Sequence, residues 1–255
     1  MSGFRWVECP RDSWQGLPGI IPTERKAAYL RSLVEAGFRY LDCGSFVSPK
    51  AVPQMADTEA VLALLPDSPD VDYLCIVANE RGLERALASE RVTSVGYPLS
   101  ISDTFQRRNS GRGLEESWPL VRQLAEQRGR LGLVVYLSMG FGNPYGDEWS
   151  PRLVVEAVER LRGLGVREVA LADTLGQADE ARVRGVVSAV VRAVGMEGVG
   201  VHLHARPQDA AGLAGAALDE GVAWLEGALG GIGGCPFAAD ELVGNLPTEA
   251  VDTVR

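Results

Sequence analysis

The chain has 255 residues, of which 46% are hydrophobic and 23% charged, enough for a sizeable core and a wetted surface in one domain spanning 1–255. Its net charge of −9 excludes general affinity for nucleic acid or anionic lipid, though not for a small anionic substrate met by a local cation cluster. No apolar run approaches the roughly 20 residues of a membrane helix, and the first residues run from Met1 straight towards a strand, so the expected location is cytoplasmic.

In chain order, strand-like runs fall at Arg5–Cys9, Arg39–Cys43, Val71–Val77, Val92–Pro98, Leu131–Ser138, Val166–Ala172, Gly198–His204 and Val222–Leu229. Most are continuously apolar rather than alternating, as parallel strands covered by helices on both faces require. Between them lie segments with a helical period. Thr23 with Lys26 to Val34 begins an early one. Pro151 behind a Ser150 N-cap, with Leu153, Val154, Ala157, Val158 and Leu161 on one face, begins another. The clearest carries Val183, Val186, Val187, Val190, Val191 and Val194 at i, i+3, i+4, i+7, i+8 and i+11. Gly37, Gly165 and Gly221 each follow a helix and precede a strand, where a left-handed C′ residue belongs. Eight alternating units predict a single (β/α)8 TIM barrel with a short last helix after Pro247. An open doubly wound sheet is the alternative, disfavoured because no GxGxxG follows the first strand.

The sequence contains two histidines, His202 and His204. Strand alternation puts both on one face, about 6–7 Å apart along the backbone, where two imidazoles can converge on one metal. They end the seventh strand, and barrel chemistry sits at strand C-termini. At the end of the first strand, Asp12 offers a hard oxygen ligand and Arg11 a fixed cation; alone they could equally be a surface ion pair. Gly230-Gly231-Ile232-Gly233-Gly234-Cys235-Pro236 after strand eight suits a mobile lid or a tight turn, and Cys235 on it is either a proton donor or incidental. Asn245 is either a ligand or a cap for the last helix. Cys9, Cys43 and Cys75 lie in or at the ends of strands, where free cysteines act as small core residues.

Taken together these blocks resemble one family. Val7-Glu8-Cys9-Pro10-Arg11-Asp12, Phe46-Val47-Ser48-Pro49-Lys50-Ala51-Val52-Pro53-Gln54-Met55-Ala56-Asp57, Leu171-Ala172-Asp173-Thr174-Leu175-Gly176, Val201-His202-Leu203-His204 and Gly231-Ile232-Gly233-Gly234-Cys235-Pro236-Phe237 stand in the order found in 3-hydroxy-3-methylglutaryl-CoA lyases. The resemblance implies that Asp12, His202, His204 and Asn245 bind Mg²⁺ or Mn²⁺. It implies that Arg11 stabilises an enolate on the thioester carbonyl and that Asp12 or His202 takes the hydroxyl proton. Cys235 then protonates or shields the carbanion. It places Gln15, Asp42 and Asp173 around the substrate. The implied reaction is retro-Claisen cleavage of 3-hydroxy-3-methylglutaryl-CoA to acetyl-CoA and acetoacetate. An acyl-CoA is the expected partner, a homodimer the expected assembly. Ser13, Asp42 and Ala205 differ from the family pattern. A lyase or aldolase for another 3-hydroxyacyl substrate, and a metal-binding barrel without catalysis, are the alternatives.

Overall fold

Runs too apolar for a one-sided sheet become strands buried on both faces. The structure is a computed structural model that describes residues 4–234 and 243–252. The strands are β1 (Arg5–Glu8), β2 (Tyr40–Ser45), β3 (Asp72–Ile76), β4 (Ser94–Ser100), β5 (Gly132–Ser138), β6 (Glu168–Asp173), β7 (Val199–Leu203) and β8 (Trp224–Gly227). Each pairs in parallel with the next. β8 returns to β1 with Trp224 opposite Arg5 and Gly227 opposite Glu8, so the sheet closes into a (β/α)8 barrel. Closure removes the open-sheet alternative.

The helices are α1 (Pro10–Gln15), α2 (Thr23–Glu35), α3 (Thr58–Ala63), α4 (Glu80–Ala88), α5 (Asp103–Ser110), α6 (Leu114–Gln127), α7 (Pro151–Gly163), α8 (Glu180–Val194), α9 (Ala210–Asp219) and α10 (Thr248–Asp252). Local chemistry starts and stops them as the sequence predicts. The Ser150 hydroxyl accepts the Leu153 amide ahead of α7, and Asp179 accepts the Arg182 amide ahead of α8. The valine stripe of α8 is buried at Val183, Val186, Val187 and Val190. Gly37 and Gly165 end α2 and α7 at φ 101° and 84°, a region costly for any side chain.

The core has two layers. One lies between strands and helices. The other fills the barrel with Val7, Cys9, Leu74, Ile76, Val134, Tyr136, Ala170 and Trp224. The N-terminal mouth is plugged by Arg5, whose guanidinium lies 4.6 Å over the Trp224 ring and 2.6 Å from Glu168. Cys9, Cys43 and Cys75 are buried free thiols. No helix among the described residues is long and apolar enough to cross a membrane.

Candidate metal centre at the barrel mouth

β1 ends at Glu8, and Pro10, suited to a first helical turn, starts α1 almost at once. The short connection holds Arg11 and Asp12 against the C-terminal mouth. Arg11 is clamped there: its Nε donates to Asp42 Oδ1 at 3.1 Å, its Nη2 to Asp42 Oδ2, and its Nη1 to Asp12 Oδ1 at 2.9 Å and Gln15 Oε1 at 3.1 Å. Burial opposes its charge, but Asp42 and Asp12 outweigh that and keep the guanidinium protonated. Gln15 Nε2 also donates to Asp12 Oδ1, at 2.7 Å. One carboxylate oxygen of Asp12 is thus fully engaged. The other, Oδ2, is buried without a hydrogen-bond partner.

Across the mouth, His202 on β7 and His204 just past its end stand together. His202 Nδ1 lies 3.0 Å from Glu226 Oε2, and His204 Nδ1 lies 3.1 Å from the Val243 carbonyl. A carboxylate and a carbonyl only accept, so in the neutral rings both Nδ1 atoms carry the protons and both Nε2 atoms keep lone pairs. Those two Nε2 atoms face each other at 3.1 Å. Burial and the neighbouring His202 push His204 down to about 4, so it is neutral at physiological pH. Burial works the same way on His202, but the Glu226 carboxylate outweighs it and raises that imidazole.

Asn245 joins the group through a strand extension. His204 and Asn245 form an antiparallel bridge, with Leu246 N donating to Leu203 O at 3.0 Å and Ala205 N to Gly244 O at 2.9 Å. Its Nδ2 donates to the Ile232 carbonyl at 2.9 Å, while its Oδ1 is buried and unpaired. Asn245 does not cap α10, which begins at Thr248.

Two aligned lone pairs and two orphaned buried oxygens are what a cation site looks like when described by its protein atoms. The ligand atoms of Asp12, His202 and His204 all lie within 4.8 Å of one another. Burial would raise Asp12, but the Arg11 guanidinium beside it leads the effects that hold it below the ordinary carboxylate range, ready as an anionic ligand. Cys9, His202 and Glu226 form a second such cluster. There Glu226 is already spent on His202 and on Trp224 Nε1 at 2.9 Å, and burial holds the Cys9 thiol protonated. The first cluster is the better fit.

A pocket of about 170 Å³ opens above it, lined among others by Arg11, Gln15, Tyr136, Thr174, His202 and His204. A larger cavity of about 1130 Å³ lies at the opposite, N-terminal mouth around Arg5, Gly132 and Gly198, away from these groups.

Other expected site residues fall differently. Asp42 lies wholly buried behind Arg11 and orients it. Asp173 turns its oxygens to the Gln177 and Ala178 amides, at 3.1 and 2.9 Å, and so holds the turn after β6. Cys235 lies outside the described residues. Sequence reasoning missed Glu226, although an acid within a strand's apolar run was a usable signal. It also missed Tyr136, whose buried hydroxyl in the pocket has no partner.

A closed (β/α)8 barrel with a two-histidine, one-carboxylate cluster at its C-terminal mouth defines the class of barrel enzymes that work through a bound cation. Comparison with known proteins narrows the class. The profile of the HMGL-like family matches residues 4–254. The mitochondrial hydroxymethylglutaryl-CoA lyase of Mus musculus is 34% identical over 94% of this chain and 74% of that protein. The hydroxymethylglutaryl-CoA lyase YngG of Bacillus subtilis is 32% identical over 95% of this chain and 81% of that protein. Among solved structures, the HMG-CoA lyase of Bacillus subtilis superposes with a TM-score of 0.92 at 30% identity, covering 99% of this chain and 85% of that one. An HMG-CoA lyase from Acinetobacter baumannii, in complex with coenzyme A and 3-methylmalate, gives 0.91 at 31% identity, covering 98% and 82%. The chain belongs to the HMGL-like family.

Proposed function

We propose that this chain is a carbon–carbon lyase that cleaves 3-hydroxy-3-methylglutaryl-CoA to acetyl-CoA and acetoacetate. Asp12, His202, His204 and Asn245 are its ligands for Mg²⁺ or Mn²⁺. The observation that carries the reading is the convergence of the His202 and His204 lone pairs, 3.1 Å apart, beside the unpaired Asp12 Oδ2. A divalent ion held there would lower the pKa of a substrate hydroxyl and neutralise developing charge.

The chain's own groups account for the rest. The substrate's C3 hydroxyl must lose its proton as the adjacent C–C bond breaks. Asp12 Oδ2 has a second lone pair beyond the one it would give the ion, and that lone pair accepts the proton. The electron pair of the broken bond moves onto the thioester as an enolate, and the other fragment leaves as a ketone. Arg11, fixed in place by Asp42, stabilises the enolate oxygen from the same mouth. A returning proton on the enolate carbon completes acetyl-CoA; Cys235, on the segment after β8, is the proposed donor.

The HMG-CoA lyases named above support the substrate, and the complex of one of them with coenzyme A supports an acyl-CoA in this pocket. The test is the purified chain with Mn²⁺ offered 3-hydroxy-3-methylglutaryl-CoA and, separately, 3-hydroxyacyl-CoAs lacking the terminal carboxylate. Turnover of the first, at least about 100-fold faster than the others, is expected from differential binding of that carboxylate. Equal rates would reject this substrate assignment.

A further inference from the structure

Glu8 is a buried carboxylate that the reaction chemistry above does not use. It ends β1 and is 1% exposed, between Val7 and Cys9, which point into the barrel, so its own side chain points the other way. A carboxylate so desolvated persists only if its oxygens are occupied. Oε1 accepts the Leu229 amide at 2.7 Å. Oε2 accepts the Thr248 hydroxyl at 2.5 Å and the Trp6 indole at 3.3 Å. Leu229 opens the glycine-rich stretch after β8, and Thr248 starts α10. One side chain therefore ties together the two ends of the segment that contains Asn245.

Backbone bonds extend the tie. Ala228 N donates to Leu246 O at 3.0 Å, and Thr248 N to Ala228 O at 3.1 Å. Glu249 accepts the Gly230 amide with both oxygens at 3.0 Å. Two residues on, the Ile232 carbonyl accepts Asn245 Nδ2 at 2.9 Å, which leaves Oδ1 as the unpaired end of that amide. The stretch is wedged between two ligand residues: a Cβ on Gly233 would sit 2.7 Å from Asn245 Nδ2 and 2.9 Å from the Asp12 carbonyl. The Leu229 and Ile232 hydrogen bonds, joined by the short backbone between those residues, thus link Glu8 to Asn245.

We propose that Glu8 is a positioning residue for the metal centre, setting the orientation of the Asn245 amide through the base of the 229–248 segment. The inference rests on the reading of Asn245 as a ligand. Its test needs no turnover: Mn²⁺ affinity of the full chain for Glu8→Ala, Asn245→Ala and the double variant, in a double-mutant cycle. Asn245→Ala is expected to weaken Mn²⁺ binding about tenfold or more, and Glu8→Ala about tenfold, the scale of an outer-shell partner. The double variant is expected to be no weaker than Asn245→Ala alone, within about twofold, because both changes act through one amide. Glu8→Gln, which keeps one acceptor for the Leu229 amide, should recover most of the loss. Unchanged affinity in folded Glu8→Ala, or losses that multiply in the double variant, would overturn the inference. Should Glu8→Ala not fold, Glu8→Leu combined with Thr248→Val removes the carboxylate and leaves no hydroxyl without its acceptor, and full Mn²⁺ affinity in that folded variant would overturn the inference equally. If Asn245→Ala itself leaves affinity intact while His202→Ala abolishes it, the ligand reading is wrong, and this inference falls with it.

Discussion

His202 and His204 aim their Nε2 atoms at each other across 3.1 Å, while Glu226 and the Val243 carbonyl occupy their Nδ1 atoms behind. In the neutral rings two lone pairs so placed repel, and a cation bound beside both relieves that repulsion. Replacing either ring removes one proposed ligand and should leave the fold intact, because both sit at the barrel mouth. His204→Ala is therefore expected to weaken Mn²⁺ binding by at least about 100-fold, with unfolding temperature within a few degrees of the parent. Isothermal titration with a parallel melt checks this, and tight residual binding would rule His204 out as a ligand.

Glu226 receives His202 Nδ1 at 3.0 Å, Trp224 Nε1 at 2.9 Å and, more weakly, the Cys9 thiol at 3.9 Å. Glutamine at that position has one accepting oxygen, so either the indole or the imidazole loses its partner. Glu226→Gln should lower Mn²⁺ affinity about 10- to 100-fold by releasing the His202 tautomer. Titration of the variant decides it, and an unchanged affinity would make Glu226 a packing residue only.

Arg11 makes two bonds to Asp42 in a side-on pair, a geometry that a lysine ammonium cannot copy. Arg11→Lys keeps the charge, so buried Asp42 is not stranded. It should cut kcat by about 10²- to 10³-fold, as loss of one oriented oxyanion donor does, while Mn²⁺ affinity stays within about threefold. Steady-state rates beside a metal titration separate these effects, and a kcat near the parent's would remove Arg11 from the chemistry.

Much of this was legible in the residues themselves. All eight strands overlap the apolar runs from Arg5 to Leu229, with β2, β4 and β6 running one or two residues past them, because burial on both faces leaves a compositional mark that needs no tertiary knowledge. The histidine pair was legible because strand parity puts i and i+2 on one face. Closure was not written locally: Arg5 opposite Trp224 is a pairing between chain ends, set by the curvature of the whole sheet. The same distance hides the partners of the site. Nothing near Asp42 says that it will clamp Arg11, and nothing near Glu226 says that barrel stagger will bring it under His202. Asp173 shows the converse. Its motif suggested a substrate contact, yet it precedes a turn whose amides claim both oxygens.

Proton competition supplies a further expectation. A metal needs the Nε2 lone pairs of both histidines. Burial has already taken His204 down to about 4, whereas Glu226 raises His202 against the effect of burial. His202 is therefore the ring that protonates first as pH falls, and its protonated form cannot ligate. Apparent Mn²⁺ affinity should hold at alkaline pH and drop by about tenfold per unit below the raised His202 pKa. Affinity measured from pH 8.5 to 5.5 tests the slope, and a flat profile would contradict this ligand set.

The central claim is that a cation held by Asp12, His202, His204 and Asn245 makes this chain a lyase for 3-hydroxy-3-methylglutaryl-CoA. Its most direct test is acetoacetate release by protein stripped with a chelator and titrated back with Mn²⁺. Stripped protein is expected to release none, one Mn²⁺ per chain to restore full activity, and His202→Ala to release none at any Mn²⁺ level. Release that survives stripping, or no release from a chain that holds one tightly bound Mn²⁺, would contradict it.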